Sequence, residues 1–178
     1  MRKFLTIIII ILLIFISIGI FYTRAYNKIV RYREICNISW KKMETEFQKK
    51  SNLIPTFLTM MKDYAVQEKD NARDVHTNFM SAKTNKEKIS TFCAVNDTLS
   101  KLLSIVDKYP ELKANENFTP LMNKLKETEN NIAKVSQKYN ENVKRYNTLI
   151  KTFPTDIIAK LQNFSAYPEF PKEKNLES

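Results

Sequence analysis

The sequence predicts an all-α protein, an antiparallel four-helix bundle of long helices preceded by an N-terminal transmembrane helix. Three observations predict it. Only one Gly occurs in 178 residues, which argues against sheet-rich folds, whose hairpins depend on Gly turns. From residue 26 onward, apolar residues recur every three or four positions, the period of helices that bury one face. Ahead of them, residues 4–22 (FLTIIIIILLIFISIGIFY) carry no charged side chain. The chain accordingly divides into an anchor (1–25), a helical bundle (26–165) and an irregular tail (166–178).

The uncharged run comes first. Its 19 residues give about 28 Å of helix at ~1.5 Å per residue, close to the ~30 Å hydrocarbon core of a bilayer. A cleavable signal peptide has a shorter apolar core and a small-residue cleavage site. Here Ser17-Ile18-Gly19 is followed by more apolar residues, Ile20 and Phe21. Residues 4–22 therefore read as an uncleaved, single-pass membrane contact. Arg2 and Lys3 precede the run; Arg24, Lys28, Arg31, Arg33, Lys41 and Lys42 follow it. The positive-inside rule then leans toward an N-terminus outside and the large domain on the cytoplasmic side of the membrane.

The first helical segment carries Tyr26, Ile29, Cys36, Trp40, Met43 and Phe47, with Arg33 interrupting, and continues the anchor unbroken. The second carries Ile54, Phe57, Met61, Tyr64, Ala72, Val75 and Phe79, with Glu68 interrupting. Pro55 fits its first turn and Ser51 or Asn52 its N-cap. A polar link over residues 83–86 precedes the third segment, Ile89, Phe92, Val95, Leu99, Leu102, Val106 and Tyr109. The fourth has the longest stripe: Leu121, Leu125, Thr128, Ile132, Val135, Tyr139, Val143, Tyr146, Ile150 and Phe153. Its spacing is close to a coiled-coil heptad. Pro154 stops it, and a short apolar helix follows with Ile157, Ile158, Leu161 and Phe164.

Between the third and fourth segments lies an elbow, YPELKANENFTPL (109–121). Pro110 disfavours helix at Tyr109, Leu112 can pack inward, and Asn115 or Asn117 can satisfy backbone groups. Thr119-Pro120 offers a cap followed by Pro at the first helical position. Lys113 and Glu116 carry no such duty.

The stretch YPELKANENF (109–118) resembles a signature of the LemA family of membrane-anchored bacterial proteins. The resemblance continues through ETENNIAK (127–134), YNENVKRYN (139–147) and FPTDIIAK (153–160). Upstream, SWKKMETEFQKKSNLIP (39–55) and KDYAVQEKD (62–70) also resemble the family. Three positions depart from its pattern. Asn131 stands where members usually carry Arg, Asn163 replaces the Gly before Phe, and Asp63 replaces the Gly before Tyr-Ala. The resemblance implies a helical bundle on a single-pass anchor, a setting in envelope processes, and no catalytic residue.

Residue chemistry points the same way. His76 is the only histidine, so neither a Glu-x-x-His di-iron pair nor a two-His zinc site can be built. Glu127 and Glu129, like Glu44 and Glu46, are two apart and face different sides of a helix. Glu68 reads as a surface ion-pair partner. Cys36 and Cys93 match no CxxC spacing and read as buried free thiols. Phosphate loops and nucleophile elbows are missing from the sequence. The expectation is no enzyme activity, no catalytic, metal or cofactor-binding residues, and no small-molecule substrate. Tyr139/Asn140 and Tyr146/Asn147 repeat at seven. They read as rings packed inward with hydroxyls and amides bridging neighbouring helices, or as a polar ligand seam.

The net charge of +10 and pI of about 9.5 suit an anionic partner. The lysines are spread over nearly every helix, without a compact aromatic-interleaved cluster, so nucleic acid is not expected. A scaffold or accessory module binding an unidentified protein partner is the leading reading. Lipid binding or membrane organisation through the basic helix faces is the alternative.

Overall fold

The computed structural model describes residues 2–62 and 67–171. Among the described residues seven helices occur in this order: α1 (Arg2–Ser51), α2 (Leu53–Met60), α3 (Gln67–Ser81), α4 (Asn85–Lys108), α5 (Pro110–Lys113), α6 (Phe118–Leu149) and α7 (Thr155–Leu161). Among the described residues there is no strand. The predicted all-helical class therefore holds.

α1 runs 50 residues without interruption. Gly19 lies inside it, in open space that a side chain would not crowd, so no neighbour requires its smallness. The N-terminal stretch is long and apolar enough to cross a membrane, and none of its most apolar window is buried by the rest of the chain.

The fold separates into two compact units. One comprises residues 1–40 and 138–178, the other Lys41–Gln137. In the second unit, Met43, Phe47, Ile54, Phe57, Phe92, Val95, Leu99, Leu102, Leu125 and Ile132 form the core. Phe47 stacks on Phe92 at 3.9 Å between ring centroids, and Phe79 meets the same ring at 5.6 Å. In the first unit, Ile29, Cys36, Trp40, Tyr139, Val143, Tyr146 and Ile158 are buried.

Several boundaries differ from the sequence expectation. The second segment is two helices: α2 ends at Met60, Met61 leaves helical geometry, and α3 starts at Gln67. Tyr64 and Asp63 lie outside the described residues. Asn52 stands before α2 but keeps a helical backbone and makes no side-chain cap. Its amide bonds to the Gln48 carbonyl at 3.0 Å, which carries the hydrogen-bonding of α1 on to the start of α2. Thr84 caps α4 through a full capping box. The Glu87 amide donates to Thr84 Oγ1 at 3.2 Å, and the Thr84 amide donates back to Glu87 Oε2 at 3.1 Å. The Thr84 amide, joined by the Lys83 amide at 3.0 Å, holds the Glu87 carboxyl below its ordinary value. The Thr-x-x-Glu spacing is a readable signal that the polar-link reading passed over.

At the elbow, Tyr109 and Pro110 end α4, and Leu112 is buried as expected. Asn115 Oδ1 accepts the Asn117 amide at 2.9 Å. α6 begins at Phe118, two residues before the Pro120 start that a Thr119 cap implies: the Asn117 carbonyl accepts the Leu121 amide at 3.2 Å. Asn117 therefore occupies the cap position, and Thr119 and Pro120 lie in the first turn, where no amide donor is needed. At its other end α6 stops at Leu149, short of Phe153. The Pro154 ring would clash with the carbonyl of Ile150, four residues back. Phe153 is consequently 77% exposed rather than the end of the stripe.

α7 ends in a Schellman motif. Asn163 takes φ 55°, the Phe164 amide donates to Ala159 at 2.9 Å, and the Asn163 amide donates to Lys160 at 3.3 Å. Gly is the usual residue at this left-handed position, and Asn is the side chain that tolerates it best.

Candidate functional site

A seven-residue spacing on α6 returns a side chain to nearly the same helix face about 10.5 Å further along. Tyr139 with Asn140, and Tyr146 with Asn147, use that spacing. Both rings are buried, as the inward-packing reading requires. Their polar atoms do not bridge neighbouring helices, however. They bind the irregular segment 165–170, which crosses them in the opposite direction to α6.

Asn147 takes both backbone groups of one residue: the Tyr167 amide donates to its Oδ1 at 2.9 Å and its Nδ2 donates to the Tyr167 carbonyl at 2.8 Å. Asn140 does the same three residues on. It accepts the Phe170 amide at 2.7 Å and donates to the Phe170 carbonyl at 2.8 Å. The tyrosine hydroxyls fill the steps between. Tyr146 donates to the Ser165 carbonyl at 3.1 Å, and Tyr139 to the Pro168 carbonyl at 2.9 Å. Three nearly extended residues span about 10 Å, so a two-to-two match with helix positions seven apart is geometric. A helix could not accept this pairing, because its own backbone groups are already used. Residues 165–170 therefore lack regular structure, yet they are tied down.

Residues of α1 complete the seam. Tyr167 donates its hydroxyl to Asn37 Oδ1 at 2.6 Å, and its ring meets the Tyr146 ring edge-on at 5.3 Å. The Trp40 and Tyr139 rings are tilted at 5.4 Å, which assigns Trp40 to the core. Buried Asn142 donates to Ser39 Oγ at 2.6 Å. Phe170 is buried at the end of the seam.

The seam is electrically neutral. Burial pushes the Cys36 thiol up to about 11. Burial also raises Tyr139, with smaller contributions from Cys36 and Tyr167, and raises Tyr146 in the same direction. The hydroxyls thus stay protonated as donors. A protonated thiol is a poor nucleophile.

The other singled-out residues are dispersed. His76 Nδ1 shares a 2.8 Å hydrogen bond with Ser51 Oγ, joining α1 to α3. Glu68 is half-buried, and among the described residues it forms no ion pair. Glu44 pairs with Lys88. Glu129 pairs at 3.1 Å with Lys50, whose side chain is only 3% exposed. Glu46 pairs with Lys49 at 2.7 Å and accepts Asn131 Nδ2 at 3.5 Å, so the departing position faces a carboxylate that an Arg could meet. Lys113 is not free: it pairs with Asp107 at 2.9 Å. Cys36 is a buried free thiol, but Cys93 is exposed, because the α4 core stripe runs through its neighbour Phe92 instead. Among the described residues no His, Cys, Asp or Glu cluster could hold a metal ion.

A family model described as the LemA family matches residues 39–177. No curated protein matches the chain.

Proposed function

The chain belongs to the LemA family, and from that premise we propose that it is a non-enzymatic, single-pass membrane protein that binds other proteins. Its helical part, arranged as an antiparallel four-helix bundle, serves as a scaffold or accessory factor in bacterial envelope processes. Residues 4–22 cross the inner membrane, and the helical part lies on the cytoplasmic side, where the excess of basic residues after the run belongs.

One observation carries the protein-binding reading. The Tyr139–Asn147 seam engages an extended segment almost wholly through backbone groups. Backbone-directed bonds give affinity without dictating side chains, the logic of strand-type peptide recognition. The neutral, protonated Cys36, Tyr139 and Tyr146 support a binding rather than a catalytic role. In the resting chain the seam is held by residues 165–170, which act as a ligand in cis.

Binding of a fluorescent peptide SAYPEFP (residues 165–171) tests the reading. A tethered competitor acts at about millimolar effective concentration, so the full-length protein should bind the peptide weakly. A variant ending at Phe164, checked by circular dichroism, should bind it more tightly. A folded truncated variant that ignores the peptide would refute the seam as a binding site. In-membrane crosslinking from Asn147 would then identify the protein partner.

A further inference from the structure

We propose that α7 and the turn before it form a second membrane contact, seated in the interfacial layer of an anionic bilayer beside the point where α1 emerges. The inference rests on reading residues 4–22 as the anchor, and adds a contact that reading does not require.

The first observation is an apolar surface with nothing over it. Phe153 is 77% exposed, Ile157 50% and Leu161 68%. Ile157 and Leu161 are four apart and share one face of α7, while Ile158 and Ala159 point inward and are buried. α7 is thus apolar on both sides.

The second observation fixes its level along α1. Tyr167 bonds to Asn37, the Phe164 ring packs on Tyr26 at 6.0 Å, and Gln162 Nε2 donates to the Tyr22 hydroxyl at 2.8 Å. Followed back toward α7, the chain therefore descends α1 from residue 37 to residue 22, about 22 Å at ~1.5 Å per residue. Tyr22 is the last apolar residue of the membrane-spanning run, one residue ahead of Thr23 and two ahead of Arg24. Leu161 directly precedes Gln162, so the exposed apolar face lies at the level where α1 leaves the hydrocarbon. Tyr22 and Tyr26 stack there at 6.3 Å, as aromatic side chains do at the headgroup boundary.

Charge completes the argument. A recess of about 630 Å³ beside the turn presents Lys28, Lys144 and Arg145, with Glu141 as its only acid. Exposed Arg24 and Lys151 flank it in the sequence. Apolar side chains at the acyl boundary with lysine and arginine at headgroup height are the pattern of an interfacial helix, and each basic residue adds attraction to anionic lipid.

The test uses full-length protein in phosphatidylcholine–phosphatidylglycerol vesicles. Cys93→Ser removes the exposed thiol, leaving buried Cys36 unlabelled. A fluorophore is then placed singly at Ile10→Cys, Ile157→Cys or Leu161→Cys. Lipids with a spin label near the headgroup should quench positions 157 and 161 strongly, and aqueous iodide should quench them little. Lipids labelled deep in the chain should quench position 10. If position 10 is quenched while 157 and 161 respond only to iodide, the inference fails and the anchor stands. If none of the three responds to lipid quenchers, both fail. Unchanged circular dichroism melting of each labelled chain ensures that the comparison concerns the folded protein.

Discussion

Asn147 and Tyr167 exchange two hydrogen bonds, at 2.9 and 2.8 Å, so one side-chain amide satisfies both backbone groups of a residue that belongs to no helix or sheet. The order of the C-terminal segment depends on that exchange and its repeat at Asn140. Asn147→Ala should remove both bonds and cost about 1–3 kcal/mol. Proteolysis of the variant should begin within residues 165–171 before the helices are cut. Tyr146→Phe removes only the bond to Ser165 and should cost about 0.5–1.5 kcal/mol. Tyr146→Ala also empties a buried ring site and should cost about 3–5 kcal/mol. Equal melting temperatures for the two Tyr146 variants would contradict this account.

Asn163 should respond to substitution in a way set by its backbone alone. Its φ of 55° closes the Schellman turn after α7. Asn163→Val should cost about 1–3 kcal/mol, since a β-branched residue is strained there. Asn163→Gly should be neutral or stabilising, because Gly meets no steric penalty at positive φ. Thermal melts of both variants against the parent decide it.

Asn131→Arg should introduce an ion pair with Glu46, whose carboxylate already accepts the Asn131 amide at 3.5 Å. The Lys49 ammonium at 2.7 Å competes for the same group. A gain of about 0.2–1 kcal/mol at low salt is expected, fading as salt screens the pair. A double-mutant cycle with Glu46→Gln should show coupling of that size; no coupling at any salt concentration would rule the pair out.

What the sequence made legible follows its physics. The core stripe of α1 was readable because Ile29, Cys36, Trp40, Met43 and Phe47 keep a strict helical period, and all five are buried. The break between α2 and α3 was not, because Met61 and Lys62 carry no Gly or Pro signal while apolar spacing continues across them. The start of α6 was ambiguous between Asn117 and Thr119, both good caps, and Pro tolerates any first-turn position. Of the seam, the repeat of Tyr-Asn at seven was visible. Its partner was not, because an amide that reads backbone leaves no complementary side-chain pattern in the segment it binds.

The last expectation concerns alkaline pH. Cys36 is fully buried, and burial raises its thiol from the ordinary 9.0 to about 11. In the unfolded chain the thiol loses its proton near 9, whereas in the folded chain it keeps it until about 11. Between those values the unfolded state binds fewer protons, so stability must fall as pH rises. The contribution is fully present below the unfolded pKa and is lost on passing through the folded one. Cys36→Ala removes the titration at the cost of a small cavity. Its melting temperature should therefore lie below the parent's at neutral pH, and the gap should narrow as pH climbs above about 9. Tyr139 and Tyr146 are raised in the same direction, chiefly by burial, and remain in both proteins, so the burial part of their alkaline loss is common to both. The smaller part owed to Cys36 disappears with the thiol and narrows the gap in the same sense. A gap that stays constant from neutral pH to about 11 would mean that the buried thiol does not govern this limb of the stability curve.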